Sequence, residues 1–461
     1  MNFTTLASRY QQEFEERVKR ILRIPSVYQE DEHYPFGKPI DDVLNEMLSI
    51  GQEDGFSVKN ISGYAGHIEY GQGNEIVGVL GHLDVVPAGE GWSSNPFEPV
   101  IREGQLFARG AQDDKGPVMA AYIAMKLLKD QGFEPKKRVR LILGTDEERD
   151  WQGIDYYFKQ EEMPQFGFSP DAAFPVIHAE KGLIDGFLQL PSFTQSSDNV
   201  MRVDSIEGGD RLNMVPDFAK AKLQMNGPSN LEEEFKSFLI ERELTGEINS
   251  HGNKVEVNIR GKGVHASKPE QGINAVFELA NFLSQLPLSN EARAVFSWLA
   301  DQFGETSGTN LGIYAQDNAS GALTINLGSL LYKNGDITAG INIRYPVTSD
   351  GEAIINKMKE VAAIQKGNYE LYDHLLPLYI DEDHPDVRTL LEIFNKQTGS
   401  ERSVESIGGA TYARALKTGV AYGAMFSDSP DTAHQKDEHV RIDDMIKAIA
   451  IYAEAIYQLT K

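Results

Sequence analysis

The sequence contains no cysteine among its 461 residues. That excludes disulfide cross-links, thiolate metal ligands and a cysteine nucleophile, so any metal must be held by imidazole nitrogen and carboxylate oxygen. Basic residues are scarce beside acidic ones: 44 Lys and Arg face 69 Asp and Glu, a formal net charge of −25. A field of that sign repels nucleic acid and anionic membrane surfaces, so neither is expected as a partner. No apolar run approaches membrane-spanning length. Residues 1–23 read as an amphipathic helix without the apolar core of a secretory signal, which leaves a cytoplasmic enzyme as the expectation. What is present, 41% apolar and 25% charged residues, is the composition of a folded soluble protein. The length exceeds one ordinary core and predicts two domains.

The first stretch with chemical content is VLGHLD at 79–84. It reads as the end of a buried strand. Residues two apart on a strand share a face, so His82 and Asp84 emerge together, as an imidazole ligand and the carboxylate that fixes its tautomer would. The segment 88–100 is loop, rich in Gly, Pro and Ser. The acidic pair Asp113–Asp114 lies in the turn entering a helix that Pro117 opens at its first position. A continuous apolar run, VRLILG at 139–144, predicts a buried parallel strand ending in Thr145, Asp146, Glu147 and Glu148. Strand carboxyl ends are where open α/β sheets bind ligands. Another apolar segment carries Asp171, and His434 lies in PDTAHQKDEHVRIDD near the end. Between about 186 and 379 strand-like and helical runs alternate with no acidic cluster at strand ends, predicting an inserted second domain.

Candidate metal ligands are therefore His82, Asp113, Glu148, Asp171 and His434. Two histidines and three carboxylates, one of them shared, make a two-metal site that suits zinc first and also accepts manganese or cobalt. Glu147, adjacent to Glu148, can point elsewhere and serve as general base toward a water. Singly, each residue has a commoner structural explanation: a hydrogen-bonded histidine, an Asp capping a helix, a solvated acidic turn. At successive strand ends of one domain, the set calls for a joint explanation.

The stretches GHLDVVPAGEGW, ARGAQDDKGP, LGTDEE, SPDAAFP and AHQKDE resemble the five signatures of the aminoacylase/carboxypeptidase G metallopeptidase family. GGATYAR (408–414) and RLNMVPD (211–217) are similar to its bacterial dipeptidase branch, and the likeness runs over essentially the whole chain. The resemblance implies an α/β zinc-exopeptidase fold, with a mostly parallel sheet covered by helices over 1–185 and 380–461 and an α+β lid over 186–379. It assigns the five ligands, with Asp113 bridging. Asp113 is preferred to Asp114 because the family ligand stands three residues after the glycine of the Arg-Gly pair, here Gly110. It makes the Asp113–Asp114 peptide a candidate cis bond, Asp84 the orienting carboxylate, and Glu147 the base. In the lid it selects His265 to polarise the scissile carbonyl. It selects Asn213, Arg344, Gly408, Gly409 and Arg414 to hold substrate, Arg344 by a bidentate grip on the C-terminal carboxylate. For Arg414 a plain salt bridge is an equal alternative.

The implied activity is hydrolysis of the amide bond of dipeptides by a metal-activated water, with two divalent ions, a small peptide as substrate and a monomer whose own lid supplies His265. The same chemistry would serve an N-acyl amino acid deacylase of the acetylornithine or succinyl-diaminopimelate type. A non-catalytic metal-dependent binding protein is the alternative of another class. It requires a broken ligand or base, and none is broken here.

Overall fold

The computed structural model describes residues 1–195, 199–333 and 335–461. The chain forms two compact units, one of Met1–Ala179, Tyr379–Glu405 and Ala410–Lys461, the other of Glu180–Leu378 and Ser406–Gly409. The expected division at 185/186 falls inside the strand Gly182–Leu190. That strand pairs with Asp336–Tyr345 from its first residue, so it travels whole with the second unit. Ser406–Gly409 does the same because its carbonyls are claimed there. Lys181 N–H donates to Ile407 O at 3.0 Å and Arg344 Nη1 to Gly408 O at 2.5 Å.

In the first unit four neighbouring strands, Arg138–Gly144, Ile76–His82, Phe166–Ser169 and Gly419–Ala421, run parallel. Ser57–Ile61 and Ala65–Tyr70 extend the sheet antiparallel at one side, so the sheet is mixed with its parallel part in the middle. Every residue of Ile76–His82 is buried, as expected of a parallel strand covered on both faces. The helices Lys115–Asp130 and Ile442–Thr460 pack on each other and on these strands. Ala120, Ala121 and Ala124 are wholly buried. The helix entered after the acidic pair begins at Lys115, with Asp114 as N-cap, so Pro117 is its third residue rather than its first. Proline is tolerated there because the first four helical N–H groups have no partner within the helix.

Register brings the acidic strand ends to one level. His82 pairs with Gly144, and Leu83 N–H donates to Gly144 O at 3.0 Å, so Glu147 and Glu148 follow directly beside His82. Val79 pairs with Phe168, which sets Asp171, three residues on, level with His82, also three on.

The second unit is an eight-stranded sheet in which the paired neighbours run antiparallel. Its order is Thr245–His251, Lys254–Arg260, Phe218–Met225, Met201–Gly208, Thr324–Lys333, Asp336–Tyr345, Gly182–Leu190, Asn368–Leu375. Ala275–Gln285 and Asn290–Phe303 pack together, and Gly351–Ile364 packs on Gly182–Leu190 and Asn368–Leu375. This matches the α+β character expected of the insertion.

Two buried histidines, His67 and His178, lie outside the acidic cluster. His67, on Ala65–Tyr70, is 5% exposed and its Nδ1 is 2.8 Å from Tyr157 Oη. Burial, with the charge of Arg140 adding, lowers its pKa to about 4. The folded value is depressed, so the stabilisation from neutral His67 is complete above pH ~6.5 and is lost as pH falls toward 4. The loss amounts to roughly 3 kcal/mol. Urea unfolding of His67→Phe is expected to show a shallower decline across that window. An unchanged acid slope would remove His67 as its source.

Candidate active site

Seven of the expected residues meet in the first unit. Asp113 stands between two histidines, with Oδ1 2.9 Å from His82 Nε2 and Oδ2 3.0 Å from His434 Nε2. Glu148 Oε1 lies 2.9 Å from His434 Nε2, and Asp171 Oδ2 lies 3.8 Å from His82 Nε2. Two triads result, His82–Asp113–Asp171 and Asp113–Glu148–His434, each with its ligand atoms within 4.8 Å of one another. They share Asp113. Glu147 Oε2 is 4.0 Å from His82 Nε2, so the adjacent glutamates divide, one toward each histidine. The Asp113–Asp114 peptide is cis.

Asp84 fixes two things at once. His82 Nδ1 is 3.0 Å from the Asp84 carbonyl oxygen and 3.4 Å from its Oδ1, while Asp84 Oδ2 accepts Glu148 N–H at 3.0 Å. The orienting hydrogen bond expected of the carboxylate thus falls mainly to the backbone carbonyl, and the carboxylate also anchors the Glu148 turn. With its proton on Nδ1, His82 turns the Nε2 lone pair toward an Asp113 oxygen 2.9 Å away. Two acceptors at that separation repel unless a proton or a cation lies between them.

The electrostatics point the same way. Burial pushes the carboxyl of Glu147 up to about 8, with Glu148 and Asp113 adding and His82 opposing. Asp171 is raised well above the carboxylate range by burial and by Asp113 and Asp114, and Glu148 is raised by burial. Burial would raise Asp113 too, but His434 and His82 outweigh it and hold it low. Asp113 and Glu148 in turn lift His434 to about 10. Like charges confined this closely, with oxygen and imidazole donors facing inward, form a donor set that fits two divalent cations. The residues placed to hold them are His82, Asp113 and Asp171 on one side, and Asp113, Glu148 and His434 on the other.

The loop carrying Asp113 is fastened by a residue the sequence did not disclose. Glu438 Oε1 accepts the backbone N–H groups of Gly110, Gln112 and Asp113 at 3.0, 2.9 and 3.1 Å. Its Oε2 accepts Arg109 Nη1 at 2.5 Å, and both side chains are buried. In the sequence Glu438 closes the AHQKDE stretch, four residues after His434, with no role assigned to it.

His265, Arg344, Asn213 and Gly408 lie in the second unit. His265 Nδ1 is 2.7 Å from Ser267 Oγ, and Ser267 N–H also points at that nitrogen at 3.4 Å. Nδ1 is thereby the acceptor, which leaves the ring proton on Nε2 as a donor. Desolvation and the charge of Arg344 lower the His265 pKa, favouring the neutral ring. Asn213 adjoins this segment, its carbonyl accepting Ala266 N–H at 2.9 Å. A Cβ on Gly408 would stand 2.8 Å from Ser267 Cβ, so glycine lets the two strands of chain approach. Gly409 follows it and is half-buried.

Arg344 belongs to the second unit. It is 3% exposed, with Nε on Asn342 Oδ1 at 2.9 Å and Nη1 on Gly408 O. Arg414 is half-buried on the 3₁₀ helix Tyr412–Ala415 and belongs to the first unit, whereas the other substrate candidates belong to the second.

The profile of "Peptidase family M20/M25/M40" matches residues 78–458. "Putative dipeptidase YtjP" of Bacillus subtilis (strain 168) is 43% identical over 468 residues, covering 100% of both chains. A "Putative dipeptidase" of Staphylococcus epidermidis is 39% identical over 98% of this chain and 97% of its own. Among solved structures, aminoacylhistidine dipeptidase from Vibrio alginolyticus superposes with a TM-score of 0.60 at 14% identity, covering 97% and 96% of the two chains. Human carnosine dipeptidase 1 does so with a TM-score of 0.58, also at 14%, covering 99% and 98%. The two structural likenesses bear on the fold. The chain is a member of peptidase family M20/M25/M40, and it is an enzyme of the peptidase class.

Proposed function

We propose that this protein is a dinuclear metal-dependent dipeptidase. The observation that carries the metal reading is Asp113 with one oxygen on each of two histidines. The dipeptide reading rests on full-length relatives named as dipeptidases. Two divalent ions held by His82, Asp113, Glu148, Asp171 and His434 would supply Lewis acidity to the scissile carbonyl and bring a water's pKa toward neutrality. Zinc suits the nitrogen and oxygen donors, and manganese or cobalt would be accepted.

Glu147 takes the proton of the attacking water and delivers it to the leaving amine nitrogen as the C–N bond breaks. Asp84 holds His82 and the Glu148 backbone in place. His265 donates Nε2–H to the oxygen that becomes negative. Asn213, Arg344, Gly408 and Gly409 hold the substrate backbone, with Arg344 toward its C-terminal carboxylate and Arg414 in a lesser supporting part. His265 acts on the substrate bound to its own chain, so the monomer is the working form. Among the described residues no helix is long and apolar enough to cross a membrane, and we place the enzyme in the cytoplasm.

The test is a substrate panel after chelation and re-addition of zinc, manganese or cobalt. Dipeptides are expected to be cleaved only after a metal is restored. N-acyl amino acids and tripeptides should react much more slowly. Good rates on acetylornithine or succinyl-diaminopimelate with none on any dipeptide would make the enzyme a deacylase.

A further inference from the structure

A fully buried carboxylate is expensive unless its lone pairs are filled, and Glu438 adds a negative charge to a region already crowded with them. Its donors are almost all backbone. Three come from one tight loop, Gly110, Gln112 and Asp113, in which Gly110 has φ +86°. The same loop is laced to the His434 segment a second time. The Gln112 side-chain oxygen accepts Thr432 N–H at 2.8 Å and Thr432 Oγ1–H at 2.7 Å. Glu438 itself returns to the strand side, its carbonyl accepting Ala108 N–H at 3.1 Å. The carboxylate therefore plays the part of a bound anion in a nest of N–H groups.

We infer that Glu438 is a positioning residue for the metal centre, holding the 110–113 loop so that the Asp113 carboxylate is already set between the two histidines before any ion arrives. It touches no ligand side chain. It acts through the N–H of Asp113 and of the two nearby residues in its turn. This rests on reading the acidic cluster as a metal centre.

The alternative is a plain structural ion pair with Arg109, and three substitutions separate the two. Glu438→Gln keeps an acceptor oxygen at full length, Glu438→Asp keeps the charge but is too short to reach all three N–H groups, and Glu438→Ala removes both. Metal-free protein would be titrated with Zn²⁺, and with Co²⁺ followed by its visible absorption. Loss of such supporting partners weakens metal binding by about 10–100-fold. The expected order of affinity is unaltered, then Gln, then Asp and Ala together, with an altered Co²⁺ spectrum in the weak variants. Affinity retained by Asp and lost by Gln would assign Glu438 to the ion pair and overturn the inference, as would unchanged affinity in folded Ala. Should the variants not fold, hydrogen exchange on the unaltered metal-free protein decides. The amides of residues 110, 112 and 113 are expected to be protected, and exchange at the rate of unstructured chain would refute pre-positioning. If the unaltered protein takes up no divalent ion, the metal reading itself falls, and the inference with it.

Discussion

Glu147→Gln is expected to lower kcat by about 10²–10⁴-fold, the range for loss of a general base, while the protein still takes up its metal ions. The two glutamates at the end of Arg138–Gly144 are chemically identical and adjacent, yet the fold gives them different neighbours. Glu148 presents Oε1 to His434 at 2.9 Å and has its N–H fixed by Asp84, whereas Glu147 stands 4.0 Å from His82 and belongs to neither triad. The amide of Gln has the size of the carboxylate but no lone pair basic enough to accept the proton of the attacking water. Removing it should leave the ligand set whole. Metal content by elemental analysis beside steady-state kinetics checks both halves. Near-normal turnover would displace Glu147 as the base, and loss of metal would make it a ligand instead. Glu148→Gln is the control, expected to weaken metal binding first.

The second large effect is expected from His265→Ala, a fall in kcat of about 10²–10³-fold with metal binding unchanged, as for removal of one oxyanion donor. The argument starts at Ser267. Its hydroxyl and its N–H both face Nδ1, which puts the ring proton on Nε2, and the lowered pKa keeps the ring neutral. A neutral ring with a fixed Nε2–H stabilises negative charge that appears only as the carbonyl is attacked, so the loss should fall on kcat more than on KM. Ser267→Ala should give a smaller loss of the same kind by freeing the tautomer. Gly408→Ala should resemble it, because the new methyl meets Ser267 Cβ at 2.8 Å. If His265→Ala raises KM alone, the residue binds substrate without stabilising the transition state.

The parts of this molecule that the sequence disclosed are those where a local pattern carries the physics. The apolar run of 139–144 and the end of the strand at 79–84 read as buried strands, and acids at successive strand ends of one domain call for a joint explanation. Chain order and the five ordered stretches supplied the family, and with it the division of labour between Glu147 and Glu148. Local pattern failed where a residue's meaning depends on a distant partner. Glu438 closes the AHQKDE stretch without a role that the sequence assigns, because its three N–H donors lie more than 300 residues away in the chain. The motif around Arg344 suggests a grip on a carboxylate but says nothing of its burial or of its bonds to Asn342 and Gly408. The compact units divide at 179/180 and not at the expected 185/186, because a strand belongs to the sheet it pairs with, and pairing is invisible in a single segment.

The sequence by itself thus determined the elements, the ligand types and the class of chemistry, since these follow from hydrophobic period, from the absence of cysteine and from motifs in order. Only the tertiary structure gave the distances that set Asp113 2.9 and 3.0 Å from the two histidines, and decided that Asp84 works largely through its backbone and that Glu438 holds the loop carrying Asp113. Those are matters of ångströms, fixed by strand register and by hydrogen bonds between segments far apart in the chain.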